Sequence, residues 1–472
     1  MNHTGNGTPS KPNPRRRRRS PMQIFVDSYL PPLIIGAVVL LFILFAVGSI
    51  QRSNERRAQA QQASIAASES QAQRLQELTA EAQRLIAEAE VLAKSYCYDE
   101  AIARIDSFSG NIYNYDELLA CRNAYLQAKE ALVAWEDPSD VVNLSFQMLM
   151  VDPVRAFANK TYGTSFKRNF ITVEEFTAIL QQLYDNDYIL VDIYDLFEIT
   201  ETGTTVTYNA KTLHLPAGKK PLMLTQTQVN FYTYMTDGNG DGLPDKDGSG
   251  FASKLVVDAE GNLKCEYVDA QGNTLTGNYD LVPLLEDFIT RNPDFSYQGA
   301  RAVLAVSGYD GLFGYRTDPE TATKISKDFY DQQLAQLPAV VKALRDKGYH
   351  IACYTYGNVA YGDITATKIR NDLTKWKNEV TPLLGETEIL VLAKNSDISN
   401  PKDSYSGEKF SILQDAGFHI YLGFCDGSAP WAQTNRTNIR QGRILVTGWD
   451  LKNNAKLYKD LFDAASVLDP NR

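Results

Sequence analysis

From residue 141 onward, short β-branched and apolar runs alternate with stretches of helical periodicity, and this alternation restricts the fold more than any other feature. Strand-like runs fall at Asn143–Val151, Tyr188–Asp192, Leu222–Thr225, Arg301–Ser307, His350–Thr355, Glu388–Leu392, His419–Phe424 and Arg443–Val446. Helical patterns lie among them at Val173–Tyr184, Leu281–Thr290, Ser326–Lys347, Ala366–Leu384, Gly407–Ala416 and Asn453–Ala464. Parallel neighbours need a crossover longer than a hairpin, so this order predicts an α/β fold with a largely parallel sheet or barrel. Residues 237–277 break the rhythm. Lys254–Val257 and Lys264–Val268, around Asp258–Asn262, read as a hairpin inserted into it.

Upstream the chain is of another kind. Leu33–Val47 is a continuous apolar run, and no charge falls between Ser28 and Gln51. Such a run spans a hydrocarbon core of about 30 Å. A cleaved signal peptide ending near Ala46-Val47-Gly48 is the rival reading. Lys11 and Arg15–Arg19 outweigh Arg52, Arg56 and Arg57, which places the N-terminus inside and everything beyond Ile50 outside. Arg52–Ala93 contains neither Gly nor Pro and reads as a long helix. Leu75, Leu78, Ala82, Leu85, Ala89 and Leu92 recur at steps of three and four. They form either a coiled-coil seam or a face for the next helices, at Asp99–Phe108 and Tyr115–Trp135. The expected organisation is a basic disordered cytoplasmic tail (1–29), a transmembrane helix (30–50), a helical stalk (51–137) and an α/β domain (141–472). The stalk is expected to self-associate or to bind a protein partner.

The net charge of −10 makes nucleic acid a poor partner. None of the five cysteines has metal-like spacing. Cys97 and Cys121 fall on neighbouring helices and are candidates for a disulfide, with free buried thiols as the alternative.

The segment Pro221–Tyr232 brings these readings to function. A short apolar run ends at Leu224, polar residues follow at once, then aromatics. It reads as a buried strand opening into a site, and in α/β folds chemistry gathers at the carboxyl ends of strands. Together with Asn143–Leu149, Pro153–Phe157, Lys220–Tyr234, Gly308–Thr317 and His350–Asn358, it resembles membrane-anchored bacterial polysaccharide deacetylases. That resemblance implies a deacetylase-type (β/α) barrel with irregular closure, preceded by a transmembrane helix and an α-helical stalk. It also implies a zinc-dependent hydrolase built on an Asp pair and a His-x3-His pair. Here the acid-pair positions are Thr227 and Gln228, and the histidine positions are Tyr354 and Asn358. Neutral oxygens are poor ligands for zinc, and none of these residues supplies a carboxylate base. The resemblance therefore implies no catalytic residue here and no zinc.

Four histidines occur in the chain, and His3, His214, His350 and His419 all lie away from the matched positions. Asp310 and Asp397 are weak candidates for substituted chemistry. Phe231, Tyr232, Tyr309, Tyr315, Arg316, Tyr356 and Trp431 are candidate contacts for a cell-envelope glycan, because sugar rings stack on aromatic faces. Asp237, Asn239, Asp241, Leu243 and Asp245 have the spacing of the front half of a calcium loop, although position 12 is Gly248. The loop reads either as a calcium site or as a flexible Asp/Gly turn. The expectation is an extracytoplasmic glycan-binding or scaffolding pseudoenzyme. The alternative is an active metal-dependent carbohydrate deacetylase with a non-standard ligand set.

Overall fold

The computed structural model describes residues 20–28, 30–203, 205–236, 245, 249–401, 403–427 and 429–472. The chain divides into two compact units, Met1–Glu81 and Ala82–Arg472.

In the first unit the described residues form a helix at Pro21–Ser28 and most of a long helix, Leu30–Lys94. Pro31 and Pro32 lie in the first turn of the long helix, where a missing N–H costs nothing. Its apolar stretch is long and apolar enough to cross a membrane, and none of it is buried.

The second unit begins inside that helix. Ala82, Leu85 and Ala89 are buried, as are Ala101, Ile102, Ile105 and Leu118 of the helices Tyr98–Asp106 and Asp116–Glu130. Glu88 pairs with Arg104 at 3.4 Å, Asp99 with Lys129 and Asp106 with Arg122. This part of the predicted seam is therefore covered by its own chain, not by another copy. The helix expected at Tyr115–Trp135 ends at Glu130, and Val133–Trp135 is a strand antiparallel to Leu213–Leu215. Cys97 and Cys121 are free thiols. The Cys97 thiol faces the Ser95 carbonyl at 3.8 Å while Cys121 bonds to Tyr125, so the candidate bridge is absent and the alternative of free thiols stands.

Seven parallel strands close into a barrel: β1 (Val142–Phe146), β2 (Lys220–Thr227), β3 (Val303–Val306), β4 (His350–Cys353), β5 (Ile389–Val391), β6 (Ile420–Phe424) and β7 (Asn438–Leu445). Each pairs with its successor in sequence, and β7 returns to β1. Closure is uneven. Between β4 and β5 the register is the single pair Cys353↔Leu390, and between β7 and β1 it is Ile444↔Leu144 and Leu445↔Ser145. Helical crossovers such as Val173–Asp185, Lys327–Lys347 and Ala366–Lys375 cover the outside. The link from β6 to β7 is a strand, Ala432–Asn435, folded back antiparallel on β7.

Strand alternation divides the core in two. Leu144, Phe146, Leu222, Leu224 and Leu304 face the helices, whereas Met223, Val303, Ala305, Ala352, Val391 and Leu422 fill the barrel. The expected hairpin at 254–268 is present, and a third strand, Thr274–Gly277, extends it. The antiparallel pair Phe197–Thr202 and Thr205–Ala210 escaped the sequence reading, because its residues are mostly polar and exposed. The helix expected at Asn453–Ala464 is instead two short helices, Gly448–Asn453 and Ala464–Val467, flanking a 3-10 turn.

Arg472 locks the barrel's outer layer. Arg472 grips Glu175 with Nε and Nη2 at 2.6 Å, and both side chains are almost fully buried. Glu175 also closes a capping box with Thr172. Deleting Arg472 leaves a buried carboxylate without its cation. Urea unfolding of the detergent-solubilised protein is expected to show a loss of about 3 kcal/mol.

Candidate functional site

The loops that leave the carboxyl ends of the strands form the barrel mouth. Their backbone is unusual there. Gln228 (φ 60°), Asp310 (62°), Thr355 (60°), Asn358 (50°), Lys394 (54°) and Asn395 (55°) all adopt left-handed conformations without being glycine. Each such residue costs about 1 kcal/mol or more and persists only where its surroundings enforce it.

Inside the barrel the polar side chains are paired in layers. Thr225 donates to Asn143 Oδ1 at 2.8 Å, Asn143 to Gln441 Oε1 at 3.1 Å, and Gln441 to the Val141 carbonyl at 3.2 Å. Arg443, also facing inward from β7, lies fully buried. Its guanidinium donates to the carbonyls of Leu422 (3.3 Å), Gly423 (3.0 Å) and Leu392 (3.2 Å), and to Ser145 Oγ (2.7 Å). These partners belong to β1, to β6 and to the end of β5, so one side chain ties four strands. Burial lowers its pKa to about 10, a shift that nearby Tyr354 opposes. The sequence reading missed Arg443. The available signal was its place two residues after Gln441, on the same face of a strand whose period is two.

The matched family positions lie at the end of β2 and beyond β4. Thr227 donates to the Phe146 carbonyl at 3.3 Å, and Gln228 to Gln147 Oε1 at 3.4 Å. The Tyr354 hydroxyl accepts the Lys394 amide at 3.3 Å. Asn358 Oδ1 is buried with no hydrogen-bond partner among the described residues. Across the described residues no three His, Cys, Asp or Glu side chains converge in a metal-binding group. His350 and His419 sit at the opposite end of the barrel, where His350 Nε2 meets Asp192 Oδ2 at 2.5 Å and His419 stacks on Tyr208.

The two weak carboxylate candidates are already committed. Asp310 accepts the Thr233 amide and its hydroxyl (2.8 Å), and lies near Arg316. Asp397 accepts from Tyr405 (2.5 Å) and pairs at 3.1 Å with buried Arg440, whose guanidinium stacks 3.9 Å from the Tyr405 ring. Among the candidate glycan contacts, Phe231, Tyr232 and Tyr315 are buried and present no face to a ligand. Tyr232 instead shares a 2.8 Å hydrogen bond with Ser307, and burial raises its pKa. Arg316 braces the carbonyls of Asp310 and Phe231 at 2.7 Å each. These four assignments are corrected: the three aromatics join the core between barrel and helices, and the Arg316 guanidinium is taken up by backbone carbonyls. Trp431 is half-buried. A Cβ on Gly442 would fall 2.2 Å from its ring, so only glycine lets the indole lie on β7. Tyr309 lines a cleft beside the mouth, where Tyr356, although part of the wall, is buried and lies under Lys375. In the Asp/Gly loop, Asp237, Asn239, Asp241 and Leu243 lie outside the described residues, and the Asp245 amide donates to the Thr236 carbonyl at 2.7 Å.

On the outer face of β2, Gln226 Nε2 donates at 2.8 Å to Asp280, whose other oxygen accepts the Leu149 amide at 2.9 Å. Burial raises the Asp280 pKa to about 7, and Gln226 Oε1 has no hydrogen-bond partner among the described residues.

No family model matches the chain, and no curated protein matches it. Two solved structures are similar. One is a Streptococcus pyogenes deacetylase, PplD, in complex with acetate (10% identity, TM-score 0.32, 72% of this chain and 100% of that one). The other is a de-N-acetylase from Aggregatibacter actinomycetemcomitans (10% identity, TM-score 0.34, 68% of this chain and 99% of that one). Both superpose loosely.

Proposed function

We propose that this is a membrane-anchored homologue of the polysaccharide deacetylases that binds cell-envelope glycan without hydrolysing it. The long apolar helix is the anchor, the N-terminal tail is cytoplasmic, and the barrel is extracytoplasmic. The observation that carries the loss of hydrolysis is Arg443. A guanidinium cation occupies the barrel interior beside Tyr354, one of the positions where the family places a metal ligand. A catalytic zinc site uses three ligands drawn from imidazole, thiolate and carboxylate. Thr227, Gln228, Tyr354 and Asn358 offer neutral oxygens and amides, and a neighbouring guanidinium raises the cost of placing a second cation there. These residues do not fit zinc. Nor does any of them supply a carboxylate to take a proton from water.

The test is acetate release from chitin-type and peptidoglycan substrates by the purified protein with added zinc, cobalt or nickel. The expected release equals the protein-free rate with every metal. Metal-dependent turnover above that rate would overturn the proposal in favour of an active enzyme with a non-standard ligand set.

A further inference from the structure

The loops after β3 and β4, the short helix Pro319–Ala322 and the helix Ala366–Lys375 enclose a cleft of about 560 Å³ beside the mouth. Tyr309 stands on its wall, 54% exposed. Tyr356 forms another part. It fits because Gly308 carries no side chain, since a Cβ there would lie 2.2 Å from the tyrosine ring.

Asp318 is the unusual group in this cleft. It caps the helix Pro319–Ala322, and its Oδ1 accepts the amides of Glu320 and Thr321 at 3.0 Å each. Its second oxygen, Oδ2, has no hydrogen-bond partner among the described residues, although Asp318 is only 7% exposed. A carboxylate oxygen held from water without a donor is costly, so a small turn of the Asp318 side chain that brings Oδ2 to the cleft and to a donor there is favoured.

The other carboxylates narrow the choice. Asp372 is fully used by the amides of Tyr356 and Gly357 and by the Tyr361 hydroxyl. Glu320 is paired with Lys324 at 3.1 Å. Glu379 accepts the Tyr356 hydroxyl. Lys375 lies over one face of the Tyr356 ring, 5.2 Å from its centroid, which leaves Tyr309 as the open aromatic face. No three of these carboxylates converge as a metal set. An aromatic face beside an unmatched buried carboxylate oxygen suits a ring that carries a charged donor. An ammonium brings charge-assisted hydrogen bonds of roughly twice the strength of neutral ones and offsets the carboxylate's charge. An acetamido group brings one N–H and a carbonyl that the carboxylates repel.

We propose that this cleft is a subsite for an amino sugar with a free ammonium group, its ring on Tyr309 and its ammonium on Asp318 Oδ2. The ligand is thus a glycan that has already lost acetyl groups. This rests on the glycan-binding reading above and specifies the form of glycan bound.

The test is calorimetric titration of the full-length protein in detergent with tetramers of glucosamine and of N-acetylglucosamine. The glucosamine tetramer is expected to bind about tenfold more tightly. Asp318→Asn keeps the oxygen that caps the helix and is expected to erase this preference. Tyr309→Ala, at an exposed position, is expected to weaken both ligands by about fivefold. Glu320→Gln, whose carboxylate is already paired, is expected to keep the preference and so separates Asp318 from general attraction of a polycation to an acidic protein. If the acetylated tetramer binds equally well, or Asp318→Asn keeps the preference, the inference fails while glycan binding stands. If neither tetramer binds at millimolar concentration, both fail.

Discussion

Replacing Arg443 by methionine is expected to lower the unfolding free energy by about 4 kcal/mol. Two effects oppose each other. Keeping a guanidinium out of water costs several kcal/mol, and the depressed pKa registers that cost. Against it stand four hydrogen bonds, to Leu422, Gly423, Leu392 and Ser145, each contributing about 1.5–3 kcal/mol when the donor is charged. Guanidinium is also weakly hydrated for a cation, so the hydrogen bonds win. Methionine fills similar space and restores no donor. The weakly registered β7–β1 seam then loses its main cross-link. Arg443→Lys should fall between the two, because a single ammonium cannot reach Ser145 and Leu392 with a planar fork. Urea unfolding at pH 7 distinguishes the outcomes. Unchanged or increased stability in Arg443→Met would mean that desolvation is the larger effect and that the guanidinium is not the barrel's cross-link.

The second large effect is a pH dependence carried by Asp280. Its folded-state pKa is about 7 against an unfolded value of 3.8. A group raised on folding contributes stability that is fully present below the unfolded value and is lost as pH rises through the folded one. The loss runs from about pH 4 to about pH 7 and totals on the order of 4 kcal/mol. Asp280→Asn removes the titration. Its amide can be matched by a flip of Gln226, whose Oε1 has no partner among the described residues, while its oxygen still accepts from Leu149. The variant should therefore match the native protein near pH 4 and exceed it at pH 8. Denaturation series at pH 4.5, 6 and 8 check this. An undiminished slope in the variant would show that the pH dependence arises elsewhere, with Asp195, raised to about 6 by burial, as the next group to test.

Much of the fold is legible in the residue pattern. Seven of the eight strand-like runs became barrel strands in the expected order, because a parallel strand buried on both faces is written as a short apolar run. The eighth, Tyr188–Asp192, gave a short strand, Tyr188–Leu190, on the flank of β2. The long helix, its apolar stretch and the Asp258–Asn262 hairpin were equally visible. Boundaries were less so. Nothing in Tyr115–Trp135 marks the stop at Glu130, since Val133–Trp135 becomes a strand only through its pairing with Leu213–Leu215.

The site was legible in placement but not in partners. The sequence by itself determined that Thr227, Gln228 and Tyr354 stand at strand ends and Asn358 in the loop that follows, because strand period and loop position are local properties. It also determined that these four bring no imidazole or carboxylate. Only the tertiary structure decided which polar groups remain free. Arg316 and Asp310, Arg440 and Asp397, and Phe231, Tyr232 and Tyr315 are spent inside the fold, whereas Tyr309 and one oxygen of Asp318 are not. The reason is physical. Whether a side chain reaches a ligand depends on burial and on donors from distant strands, and both arise from closure of the barrel.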